Sequence, residues 1–113
     1  MYISQINSRQ NINSKAKFSL IAERNLLPKG AKKHLIEKAK TVGHRDDTIH
    51  VCLLEKQNSE DKMETIIKAG FLRFVLSHFI NNKEIIVNGS HKERQRKTFD
   101  FINDYLDNLK KIM

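Results

Sequence analysis

The residues with the most chemistry to offer lie between positions 68 and 97. Lys68 and Arg73 sit in an otherwise apolar run, and His91, Lys92, Arg94, Arg96 and Lys97 fill the polar stretch SHKERQRKT. Cations held close together stabilise charge on a phosphorane-like transition state, and a histidine can move the protons. Such a set could therefore cleave RNA without a metal, by turning a ribose 2′-hydroxyl onto its adjacent phosphate. Arg73 carries the most information. An arginine inside an apolar strand is costly to desolvate, so it needs a carboxylate partner such as Glu64 or Glu84, or an open phosphate-binding surface. On this reading Arg73, His91 and Arg94 are the catalytic candidates. Lys68, Lys92, Arg96 and Lys97, with Lys32 and Lys33 further upstream, would hold nucleic acid. His44 and His50 match no metal-ligand spacing and read as ordinary turn and strand histidines, so neither metal nor cofactor is expected.

These groups act together only if the backbone brings them together. Leu72, Phe74, Leu76 and Ile80 alternate with Phe71, Arg73, Val75 and Ser77, the period of two that marks a strand. Asn81-Asn82 suits a two-residue hairpin connection, because its central positions need positive φ and asparagine tolerates that best after glycine. Glu84-Ile85-Ile86-Val87 then reads as the returning strand. Residues 66–98 thus become a β-hairpin that delivers a basic loop just before a helix. The competing reading is a helix from about Glu60, with Ser59 as N-cap and Glu60 and Asp61 in its first turn. That helix would be apolar almost all round, through Phe71, Leu72, Val75, Leu76 and Phe79, so the hairpin is preferred.

The rest of the chain supplies the frame. Residues 1–16 are polar and asparagine-rich and read as a flexible arm ahead of a single domain over 17–113. Lys17 to Ala22 (KFSLIA) reads as a short strand. Pro28 suits the first position of a helix and Gly43 lies just past its end; Leu35, Ile36, Ala39 and Val42 form the apolar stripe between them. Lys29, Lys32, Lys33, Lys38 and Lys40 make the rest of that helix strongly basic, either as a solvated face or as a phosphate-facing one. Thr48 to Leu54 (TIHVCLL) is rich in β-branched residues and reads as a central strand, and Glu55 to Lys62 as a loop. In the last segment Phe99, Ile102, Leu106, Leu109 and Ile112 recur at helical spacing, with Tyr105 beside them. Asp100 and Asp104 come early and Lys110 and Lys111 late, as the helix dipole favours. The expected fold is α+β, a small antiparallel sheet with packed helices in the order β-α-β-β-β-α.

The totals narrow the class of partner. A chain of 113 residues supports one modest core. Its formal charge of +8 favours polyanions: nucleic acid, an acidic protein or an anionic surface. Cys52 is the only cysteine, which excludes an intrachain disulfide and a cysteine-based zinc cluster; it reads as a small hydrophobe in a strand. No run of 18 apolar residues and no signal-peptide core appear, so the expectation is a soluble, cytoplasmic protein without a membrane partner.

The order Lys68, Ala69-Gly70-Phe71-Leu72-Arg73-Phe74, a short asparagine turn, Glu84 to Val87, then His91-Lys92-Glu93-Arg94 before a terminal helix resembles the C-terminal half of RelE/HigB-type toxins. The resemblance covers roughly residues 64–110 and is one of residue types and order. It implies a small basic ribonuclease of a toxin–antitoxin system, with an antiparallel sheet, helices on one face and a concave cationic face. By position Arg73 resembles the strand arginine, Lys68 a strand lysine, and Lys92 or Arg94 the basic residues after the last strand. The implied partners are RNA, including ribosome-bound mRNA, and an acidic antitoxin protein. Two departures stand out. Only one helix is found before the sheet where the family has two, and Phe99 occupies the region of an expected tyrosine, leaving His91 as the candidate in its place.

Two readings of another class stand beside this one. Lys17 to Ile21, the helix ending at Gly43 and a second helix through Thr48 to Glu55 are spaced somewhat like a ribbon-helix-helix DNA-binding regulator, in which a dimeric strand pair enters the major groove. A phage or plasmid adaptor that binds an acidic protein surface is the other.

Overall fold

The computed structural model describes residues 17–22, 25–42, 47–73 and 78–112, excepting the side chains of residues 73, 78–81 and 112. The arm expected over 1–16, His44 and the helix stop at Gly43 lie outside these residues. The elements run β1 (Lys17–Ala22), α1 (Ala31–Ala39), β2 (Thr48–Gln57), β3 (Met63–Arg73), β4 (His78–Val87) and α2 (His91–Ile112), the β-α-β-β-β-α order and α+β class expected.

The four strands form one sheet in the order β1-β2-β3-β4. It is mixed where an antiparallel sheet was expected: β2, β3 and β4 meander antiparallel, but β1 is parallel to β2. Parallel neighbours need a crossover, and α1 lies within this one. Inward-facing Ile49, Val51, Leu53, Ile67, Ala69, Phe71 and Val87 join Leu35 and Ala39 of α1 and Ile102, Tyr105, Leu106 and Leu109 of α2 in one core cluster. Both helices therefore cover the same side of the sheet, and among the described residues no element covers the other side.

Several boundaries differ from the expectations, each for a local reason. Met63–Arg73 is strand, as the preferred period-two reading has it and not as the competing helix would, although the strand begins before Ile66. Thr48 to Gln57 is strand throughout, which overturns the second helix that a ribbon-helix-helix protein would need. The expected loop over Glu55–Lys62 shrinks accordingly, since Gln57 pairs with Met63. Asn58 closes the reversal: its Oδ1 accepts from the amides of Glu60 (2.8 Å) and Lys62 (3.0 Å). Asn81 and Asn82 are not a turn but lie inside β4, and the strands pair out to Arg73 and His78. Pro28 precedes α1 instead of opening it. The Ala31 amide donates to the Pro28 carbonyl (3.0 Å), and Gly30, at φ 82°, adopts the left-handed conformation that the third position of such a turn requires.

Candidate nucleic-acid interface

The expected basic loop is instead the first two turns of α2. Ser90 and Glu93 form a capping box: the Glu93 amide donates to Ser90 Oγ (3.2 Å) and the Ser90 amide donates to Glu93 Oε1 (3.2 Å). Hydrogen bonds to the Glu93 carboxylate from the Ser90 amide and the Ser90 hydroxyl, with the Lys97 charge, hold that carboxyl below the usual glutamate range. The helix consequently starts at His91, and the run KERQRK is wound so that its members point in different directions.

Arg94 points inward. Its residue is 5% exposed, and its guanidinium donates to Glu55 Oε2 (3.0 Å), Thr65 Oγ1 (3.1 Å) and the Gly89 carbonyl (3.2 Å). Its Nε and Nη1 are engaged with the protein, so Arg94 ties α2 to β2 and β3. His91 and Lys92 are exposed at the helix start. Arg96 and Lys97 are exposed as well, and Lys97 Nζ donates to the Asn88 carbonyl (3.0 Å).

Arg73 is at the other end of the hairpin. It closes β3 opposite His78, eight residues along the strand from the Thr65 that Arg94 touches, or about 26 Å at ~3.3 Å per residue. An arginine side chain does not span that distance, so the structure does not bring Arg73 together with Arg94 and His91. Lys68 belongs to the open face of the sheet, in register with Cys52 on β2 and Glu84 on β4. Lys32 and Lys33 are exposed in the first turn of α1. Tyr105 is 1% exposed, and burial pushes its phenol up to about 12, which removes it from proton transfer near neutral pH.

What the structure does assemble is a groove of ≈ 890 Å³ between the segment before α1 and the first turns of α2, lined by Leu27, Pro28, Lys29, Lys92, Gln95 and Arg96 among others. Gln95 fixes its two walls. Its Nε2 donates to the Asn25 carbonyl (2.9 Å) and the Leu27 carbonyl (3.3 Å), holding the approach to Lys29 beside α2. Glu93 also lines the groove, its carboxylate turned back to the Ser90 amide. Lys32 and Lys33, exposed three and four positions after Lys29, are not among the residues that line it.

Neither Lys29 nor Gln95 was a candidate site residue. Lys29 was legible as part of a basic helix. Gln95 was not, because its partners are backbone carbonyls 70 and 68 positions away. Among the described residues no group of three or more His, Cys, Asp or Glu is placed to hold a metal ion, and no helix is long and apolar enough to cross a membrane. No protein-family model matches the chain, and no curated protein matches it.

Proposed function

We propose that this protein binds nucleic acid by its phosphate backbone, through the groove where Lys29 meets Lys92 and Arg96. The observation that carries this reading is the convergence of three exposed cations from two segments on one groove whose walls Gln95 clamps. A second consideration supports it. Lys92 stands in the first turn of α2, where the helix dipole is already positive, so an exposed cation there costs about 0.3–1 kcal/mol. A bound phosphate removes that cost. The chain's net charge of +8 acts in the same direction, steering polyanions to the surface.

Cleavage of RNA in the RelE/HigB manner has less beneath it. Arg94 is occupied by Glu55, Thr65 and Gly89, and Arg73 is a strand's length away. Binding and cleavage separate in experiment. Fluorescence anisotropy with single-stranded RNA and with duplex DNA is expected to register binding that Lys29→Ala/Lys92→Ala/Arg96→Ala weakens at least tenfold. Unchanged affinity in that variant would contradict the groove. Growth arrest on expression, relieved by Arg73→Ala, would restore the ribonuclease reading; normal growth with the protein present and soluble argues for binding alone.

A further inference from the structure

The side of the sheet that the helices leave open carries a contiguous row of aliphatic residues. Leu54, Ile66 and Ile86 stand in register on β2, β3 and β4, with Ile21 of β1 in the adjoining row. Ile21 is 63% exposed, Ile86 52% and Leu54 36%. Single exposed aliphatic residues on a surface are ordinary, but branched side chains aligned across three strands mark a surface that meets something.

The charges flanking this row identify the occupant. On one side lie Lys68 and Glu84, in register with each other; on the other lie Lys56 and Glu64, also in register. Each border thus pairs a cation with a carboxylate. A partner of one sign, such as an acidic peptide or a phosphate backbone, would meet opposed charges along both borders. A second copy of the same face can set the cation of one border over the carboxylate of the other on β3. A two-fold axis lying along the aliphatic row sets Leu54, Ile66 and Ile86 on their own copies and exchanges the borders, so that Lys68 of one copy lies over Glu64 of the other.

About this axis the two copies overlap from Gln57 to Val51 on β2 and from Met63 to Ala69 on β3. At about 4.8 Å between strands and about 3.3 Å per residue that is a footprint of roughly 300 Å² before side-chain relief, below the ~800 Å² per partner of standard interfaces, so the association is a weak one. We propose that the protein forms a homodimer by face-to-face packing of the two open sheet surfaces, with the Leu54–Ile66–Ile86 row at its centre and Lys68 against Glu64 of the second copy. The groove at Lys29, Lys92 and Arg96 belongs to the helix layer, so the dimer presents two such grooves outward. The inference does not depend on what those grooves bind.

Sedimentation equilibrium of the full chain over a concentration series tests it. The wild type is expected to move from monomer to dimer, and Ile86→Lys, at an exposed edge-strand position, to raise the dissociation constant at least tenfold with an unchanged melting temperature at concentrations where both proteins are monomeric. Lys68→Glu is expected to weaken the dimer about tenfold and Lys68→Glu/Glu64→Lys to restore it. A wild type that stays monomeric throughout overturns the proposal and returns the face to a different protein. A dimer indifferent to Ile86→Lys, or a charge exchange that fails to restore association, overturns it equally.

Discussion

Arg94 separates a basic residue in the sequence from a cation available to a ligand. Its guanidinium is engaged by Glu55, Thr65 and Gly89 in a site 5% exposed. Arg94→Ala removes these three hydrogen bonds, one of them to a partly exposed carboxylate, and leaves the buried Thr65 hydroxyl without that donor, so it is expected to destabilise the fold by about 2 kcal/mol in urea unfolding. Arg94→Lys is expected to recover little of this, because an ammonium cannot reproduce a fork with three partners. Full stability in either variant would refute the structural role. Thr98 makes the opposite case. It is fully buried, and its hydroxyl has no hydrogen-bond partner among the described residues. Thr98→Val keeps the shape and removes that cost, so it is expected to raise stability by about 1 kcal/mol in the same assay. Neither role was legible in the sequence. The partners of Arg94 lie 39 and 29 positions away, and a threonine between Lys97 and Phe99 carries no periodic signal of its own.

At the scale of elements, alternation of residue types sufficed where strands are half-buried. Lys17–Ala22 was legible to the residue and Met63–Arg73 as strand over helix. It failed where a strand runs out into polar residues: Glu55, Lys56 and Gln57 continue β2 because they pair with Thr65, Glu64 and Met63. It failed again at Asn81-Asn82, which stand opposite Gly70 at a register shift between the Ala69–Lys83 and Phe71–Ile80 pairs and not at a turn. The start of α2 was a different kind of miss. Ser90-His91-Lys92-Glu93 is a capping box in plain view, but the density of charge around it reads as loop. The box is also pH-sensitive. Because the fold depresses the Glu93 carboxyl, its contribution is present at neutral pH and is lost as pH falls from the ordinary glutamate range through the lower folded value. Amide chemical shifts over residues 90–97 should therefore record fraying of the first turn on acidification. Glu93→Gln should fray less steeply across the same range, and identical profiles would remove Glu93 from the account.

At the scale of the molecule, the sheet divides the labour. One side is covered by α1 and α2, whose outer edge gathers Lys29, Lys92 and Arg96; the other is open and carries aliphatic residues between paired charges. The α+β class and element order were legible because each element has its own period. Which face stayed open was not, since that depends on both helices packing on the same side. The central claim is that the groove at Lys29, Lys92 and Arg96 holds phosphates, and counterion release measures this directly. The slope of log affinity against log salt is expected to flatten by about 1.5 in Lys92→Ala/Arg96→Ala, at about 0.7–0.9 for each phosphate left without its cation. A slope identical to that of the wild type would contradict it.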